Sequence, residues 1–344
     1  MSAHPVHLTP PFKASGSRGP WQQVRESIRQ TGNATVLTTW GEWLNAALAG
    51  GGLREMLGPD WQRYRRTPDP AVRYRFAASR LAVKYTAAAV LGTEPAELDL
   101  AYTPGGRPYL RGFGQLDMSL THSEDLIAVG LSRTGRIGVD AEPAHTHPPA
   151  EGFLGHVCTP AERTELASLP AAQQHRARLG LWTLKEAYSK ALGQGLPLGF
   201  TEFGFTACTR CATAATTAAA GTAAATTATT AAAGTATTTA TAAAGTAAGT
   251  ATTGTGTGAG RCALLCAPDG TPVEGDTWTF ATYRVLGGRY LVSVACQDTG
   301  VAAVPGPALT APLDESVLAT LTDRLSSQYT SGDPCPVVCS PRSP

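Results

Sequence analysis

A chain of 344 residues with a formal net charge of +1 can bury a sizeable core, as one large domain or two small ones. The near-neutral balance excludes a bulk polyanion binder of the histone kind, though not a local basic patch, and no nucleic-acid partner is expected. The stretch MSAHPVHLTPPFKASGSRGP lacks the apolar run of a signal peptide, and no segment approaches the roughly 18 uninterrupted large apolar residues of a membrane span. A cytoplasmic protein without a membrane partner is expected.

Residues 1–33, rich in Pro, Ser, Gly and Thr, read as a disordered N-terminal tail, and residues 34–135 as an N-terminal α+β half. In that half, VRYRFAASRLAVKYTAAAVLG carries Phe76, Leu81, Val83 and Val90 and predicts a helix ending at Gly92. GRPYL opens a strand. DMSLTHSEDLIAVGLSRTGRIGVDAEP predicts three more, up to Thr121, over Leu126–Ser132 and over Arg136–Glu142, with Thr134-Gly135 as the tight turn between the last two.

Residues 136–297 read as the C-terminal α+β half. Thr159, Pro160 and Glu162 form a capping-box pattern that starts a helix over Thr159–Leu169, and a second helix is expected over Gln173–Leu192. FTEFGFTA and WTFATYRVLGGRYLVSVAC supply further strands, the latter a hairpin turning on Gly287-Gly288. Helices mixed with antiparallel hairpins, in two similar passes, indicate an α+β fold. Residues 212–260 use only Ala, Thr and Gly, which suits a disordered loop insertion. The tail 298–344 is Pro-rich, with one amphipathic helix where Leu313, Val317, Leu318, Leu321 and Leu325 recur at helical spacing. Of the eight cysteines, the pairs Cys208/Cys211 and Cys262/Cys266 flank the low-complexity block at a separation unusual for zinc ribbons. Reduced, unligated thiols are the simpler expectation for them and for Cys335 and Cys339.

Several residues carry chemistry. Asp140 and Glu142 lie two apart on a strand and project from one face, where their oxygens suit a hard cation such as Mg²⁺ sharing its shell with a phosphate. The same pair suits a solvated strand end running into Pro143. On the helix LWTLKEAYSKAL, Trp182, Glu186 and Lys190 recur at i, i+4, i+8, with Lys185 on the adjoining stripe. A surface ion pair would be ordinary there, but the surrounding Leu184, Ala187, Tyr188 and Leu192 leave little solvent-facing space, so these charges need a partner or line a cleft. His122 follows a strand, Arg107 sits in a Gly-rich turn, and Arg63, Arg65, Arg66, Arg73, Arg75, Arg80 and Lys84 form a basic run that could attract an acidic partner.

Taken in order, Gly106-Arg107-Pro108, then Ser119-x-Thr121-His122-Ser123, then Gly138-Val139-Asp140-x-Glu142, then Trp182-Thr-x-Lys185-Glu186-Ala-Tyr-x-Lys190-x-x-Gly193-x-Gly195-Leu196 resemble the 4′-phosphopantetheinyl transferases of the Sfp type. The resemblance covers roughly Val72 to Cys296 apart from the Ala/Thr/Gly block. It implies a monomer built as a pseudo-twofold pair of similar α+β halves with coenzyme A in the cleft between them. The implied activity is Mg²⁺-dependent transfer of 4′-phosphopantetheine from coenzyme A to a serine of an apo acyl or peptidyl carrier protein, releasing adenosine 3′,5′-bisphosphate. By the same resemblance Asp140, Glu142 and Glu186 would hold Mg²⁺, and Glu186 would take the serine proton. Lys190 and His122 would contact the pyrophosphate, and Arg107 and Arg80 the 3′-phosphate or pyrophosphate. Lys185 would bind phosphate or support the site. Ala141 supplies no side-chain ligand, so water would complete the metal shell. The alternative is a catalytically inactive coenzyme A or carrier-binding protein.

Overall fold

The computed structural model describes residues 7–43, 52–146, 151–193, 199–208, 260–274 and 277–299. Residues 212–259 of the Ala/Thr/Gly block, the amphipathic stretch at 313–325, Gly195, Cys211, Cys335 and Cys339 lie outside them.

Local chemistry sets the helix ends. Helix α1 (Trp21–Thr31) stops at Gly32, whose φ of 74° few other residues adopt. Short helices α2 (Leu53–Leu57) and α3 (Trp61–Arg66) lead to the long α4 (Pro70–Leu91). Asp69 caps α4 by accepting from Ala71 N at 2.7 Å and Val72 N at 3.0 Å, and Gly92 closes it. Helix α5 (Glu151–Val157) precedes α6 (Pro160–Ser168), where both halves of the Thr159/Glu162 capping box form. Helix α7 (Ala171–Leu192) ends at Gly193.

The strands are β1 (Phe12–Lys13), β2 (Asn33–Thr39), β3 (Leu100–Tyr102), β4 (Pro108–Leu110), β5 (Asp117–Ser123), β6 (Leu126–Ser132), β7 (Ile137–Pro143), β8 (Gly204–Ala207), β9 (Arg261–Cys266), β10 (Trp278–Val285) and β11 (Tyr290–Gln297). They form a four-stranded sheet in the order β1-β2-β6-β5, a five-stranded sheet in the order β7-β11-β10-β9-β8, and the β3-β4 ribbon. Strand β6 is buried along its whole length: Ile127, Val129 and Leu131 face the core under α1 and α4. Its alternate residues Leu126 and Ala128 face a second core shared with Ile137, Val139, Ala141, Val292 and Val294 of the other sheet. One strand therefore serves two cores.

Two expectations are corrected here. Residues 7–33 are not a disordered tail: β1 pairs in parallel with β2, and α1 buries Val24 and Ile28. Trp21, Val24 and Ile28 recur at helical spacing, a stripe that the Pro- and Ser-rich composition obscures. Thr134-Gly135 is not a hairpin turn either, because β6 and β7 belong to different sheets. Strand β7 pairs with β11, and its other edge meets polar side chains of β5. Asp117 Oδ2 accepts from Ile137 N at 2.8 Å and Ser119 Oγ from Val139 N at 3.0 Å. The seam between the sheets is thus closed by side chains rather than by a backbone ladder.

Helix α7 lies on the other face of β7. A Cβ added to Gly138 would fall 1.8 Å from the Ala187 carbonyl oxygen and 2.6 Å from Ala191 N. Gly138→Ala should therefore force helix and strand apart and destabilise the protein by about 3 kcal/mol, the upper part of the overpacking range. Urea unfolding measures this, and an unchanged midpoint would mean that α7 does not rest on the β7 backbone.

Candidate active site

With Ile137, Val139 and Ala141 turned into the shared core, the alternation of β7 directs Gly138, Asp140 and Glu142 towards α7. Ala187 and Ala191 of α7 press on Gly138, which sets Glu186 and Lys190, one turn apart, beside the two carboxylates. Lys190 Nζ forms an ion pair with Asp140 Oδ1 and donates to Thr121 Oγ1 at 3.2 Å. Thr121 Oγ1 also donates to Asp140 Oδ1 at 3.4 Å. Asp140 is buried, 5% exposed, and its Oδ2 has no hydrogen-bond partner among the described residues. A buried carboxylate oxygen left unpaired is costly, so it marks a place for a donor or cation that the protein does not itself supply.

Glu142 and Glu186 are both pushed above the usual carboxylate range. Desolvation is the main cause for each, and the Asp140 charge the next. The Trp182 side chain hydrogen-bonds Glu142, and Lys190 offsets part of the shift at both. The opposite sign prevails nearby. His122, on β5, is held below its ordinary value by desolvation and then by the charges of Lys190, Arg80 and Arg75. Arg80 is itself buried. Its Nε donates to Asp60 Oδ2 at 3.0 Å, and its guanidinium lies 3.9 Å from the Phe76 ring centroid. The site thus has an acidic wall on β7 and α7 and a basic wall reaching from Lys190 through His122 to α4.

Two expected ligands stand elsewhere. Lys185 is fully buried on the far side of α7, where Nζ donates to the carbonyl oxygens of Val157 at 2.7 Å, Phe200 at 2.6 Å and Phe203 at 2.9 Å. It also pairs with Glu162 Oε2 at 2.8 Å, while Glu162 Oε1 accepts from Phe205 N at 2.8 Å. Burial lowers the Lys185 pKa, with Glu162 opposing. Lys185 and Glu186 are successive residues on a helix, about 100° apart, so only one of them can face the site. This placement turns the Lys185 ammonium away from the carboxylate cleft. Arg107 is also committed: its terminal nitrogens donate to the Lys190 carbonyl, to Asp117 and to the Ile137 carbonyl, the last at 2.8 Å. It clamps the end of α7 to the β5–β7 seam.

The donor set fits a hard divalent cation in kind, since the Asp140 charge stands close enough to raise the pKa of both Glu142 and Glu186, and one buried oxygen of Asp140 lacks a partner. Among the described residues, however, no three His, Cys, Asp or Glu side chains are gathered into a ligating group, and the Lys190 ammonium occupies Asp140 Oδ1. Trp182 and Thr121 also belong to the site, although motif spacing alone did not assign either a role. The indole N–H one turn before Glu186 was the available signal for Trp182.

Residues 136–242 match the family model of the 4′-phosphopantetheinyl transferase superfamily. The chain is 33% identical over 130 residues to the 4′-phosphopantetheinyl transferase HetI of Nostoc sp., covering 37% of this chain and 55% of that protein. It is 30% identical over 147 residues to a phosphopantetheinyl transferase of Thraustochytrium sp., covering 39% and 51%. A 4′-phosphopantetheinyl transferase of Bacillus subtilis is 25% identical over 130 residues, covering 38% and 57%. The chain spans about half the length of the curated relatives it matches.

Two stability measurements follow from the site. Lys185→Met should cost about 3–5 kcal/mol by leaving the Glu162 charge buried and unpaired, and adding Glu162→Gln should recover part of that loss. Additive losses in a denaturant double-mutant cycle would count against the pair. For Glu186, a folded pKa above the unfolded one means that ionisation costs stability: the cost is absent below the ordinary carboxyl range and complete above the raised pKa. Glu186→Gln should therefore melt higher than the parent at neutral and mildly basic pH, and thermal unfolding across pH should show the advantage shrinking as pH falls.

Proposed function

We propose that this chain is a 4′-phosphopantetheinyl transferase, a cytoplasmic monomer that moves phosphopantetheine from coenzyme A to a serine of an apo acyl or peptidyl carrier protein in a Mg²⁺-dependent reaction. The observation that carries the reading is the meeting of Asp140, Glu142 and Glu186 with Lys190 and His122 inside or beside the stretch that matches the superfamily model. The long helices α4 and α7, each set against its own sheet, support a pseudo-twofold arrangement with coenzyme A between the halves.

In the reaction the carrier serine oxygen attacks the pyrophosphate phosphorus that bears the pantetheine arm. The bond from that phosphorus to the bridging oxygen breaks, and adenosine 3′,5′-bisphosphate leaves. Glu186 accepts the serine proton, and its raised pKa makes it a stronger base than an ordinary carboxylate. Lys190 and the Arg75/Arg80 wall draw the phosphates in and balance their charge, and the His122 imidazole, held towards its neutral form by those cations, offers a phosphate oxygen an N–H. Asp140, Glu142 and Glu186 would hold Mg²⁺, which supplies charge neutralisation to the pyrophosphate oxygens. Trp182 keeps Glu142 aimed at the cleft through its hydrogen bond. Positioning and electrostatics supply most of the rate in such a transfer.

Incubation with coenzyme A, Mg²⁺ and an apo carrier, followed by mass spectrometry of the carrier, tests the reading. Addition of one phosphopantetheine mass is expected, as is its loss with a chelator and return with added Mg²⁺. No addition to any of several carriers would overturn the activity, and retained coenzyme A binding in that case would favour a non-catalytic binding protein. Glu186→Gln should lower turnover at least about 100-fold while coenzyme A affinity changes little.

A further inference from the structure

Helix α7 packs chiefly on β7 and β11 and scarcely on β10. Between its N-terminal half, α6 and strands β8 to β10, a groove of about 600 Å³ remains, within the usual range for small-molecule sites. Leu166, Leu184 and Phe205 form a buried floor, and Ala177 and Leu181 form a wall. The polar side chains beneath are already satisfied: Glu162 holds Lys185, and Thr282 Oγ1 lies 2.8 Å from Ser293 Oγ. Such a lining asks for an aliphatic body rather than a hydrogen-bonding one.

The rim is different. Arg176 of α7, Arg261 of β9 and Arg284 of β10 all line the groove, and none of the three makes an ion pair or a side-chain hydrogen bond among the described residues. Thr282 is paired with Arg261 across the β9–β10 ladder, so Arg284, two residues on, projects from the same face as a diagonal neighbour at roughly 7–8 Å. Glu165 is the remaining acidic residue on the rim, since Glu162 is committed. Three guanidiniums on one rim against the single free carboxylate of Glu165 leave an excess of positive charge there, which favours an anion. The Ala/Thr/Gly run that separates β8 from β9 in sequence offers neither carboxylates nor large apolar side chains.

We propose that this groove binds a straight-chain carboxylate, its alkyl part on Leu166, Leu181, Leu184 and Phe205 and its head on Arg261 and Arg284, with Arg176 closing the mouth. The site is separate from the carboxylate cleft: Leu184 and Glu186 sit on different faces of α7, and Lys185 and Glu162 lie beneath the groove. Binding here does not depend on the transferase reading, and its test involves no transfer assay.

Calorimetric titration of the full chain with decanoate below its micelle concentration should give saturable one-site binding. Decanol and acetate, which lack the head and the tail respectively, should each bind roughly tenfold or more weakly. Arg261→Gln/Arg284→Gln, both exposed positions, should weaken decanoate by a similar factor with unfolding unchanged, and Ala177→Trp should fill the groove and abolish binding. Absence of saturable decanoate binding would overturn the proposal. So would equal binding of decanol and decanoate, or binding unaffected by the arginine pair and by Ala177→Trp together.

Discussion

The absent side chain at Gly138 is the constraint on which the site depends. Only a hydrogen fits between the β7 backbone and the Ala187 carbonyl, so α7 lies against the strand at backbone distance. Two residues further along the same face stands Asp140, and flanking the alanine contacts on the helix are Glu186 and Lys190. The ion pair between Lys190 and Asp140 is reachable because helix and strand are this close. A larger residue at position 138 would separate the two walls that the chemistry needs together, without altering any charged group.

Closeness alone does not fix which way a helix is turned. That is the work of Lys185. Its ammonium is held by three backbone carbonyls and Glu162, in a pocket with no water-facing side. A buried ion pair of this kind adds little to net stability compared with a well-packed apolar pair, because desolvating both charges offsets their attraction. It is highly directional, however. Turning α7 by one residue would pull Lys185 off four partners at once, so the rotation that puts Glu186 into the cleft is strongly selected. Arg107 plays the matching part at the C-terminal end, tying the Lys190 carbonyl to Asp117 and Ile137.

Much of this was legible in the sequence where period and capping agree. The alternation in IGVDAE placed Asp140 and Glu142 on one face, the Thr159/Glu162 box started α6, and Gly92 and Gly193 ended the long helices where expected. What spacing could not supply was the partner of each face. Asp117, Ser119 and Thr121 alternate like a solvated strand face, yet they close the seam against β7, and Ser119 and Thr121 are buried. The same gap explains Thr134-Gly135, which passes between sheets rather than turning a hairpin, and Lys185 and Arg107, whose basic side chains satisfy carbonyls. A lysine beside a functional glutamate on a helix points about 100° away from it, so helix geometry by itself argues against a shared ligand role for the two.

The charge arrangement in the cleft follows from what remains unpaired. Three carboxylates are held near one another in partly desolvated surroundings, and at Glu142 and Glu186 the result is a preference for the proton. A protein selected for stability alone would have little reason to retain that repulsion, since neutral side chains of the same shape would remove it. The Lys190 ammonium relieves only one oxygen of one member, Asp140 Oδ1, and leaves Oδ2 buried without a partner. The basic wall of Arg80 and Arg75, with the His122 imidazole held towards its neutral form beside it, is charged in the opposite sense and is kept apart from the acidic wall rather than neutralising it. Such a division leaves a cleft with one side that favours anions and one that favours cations.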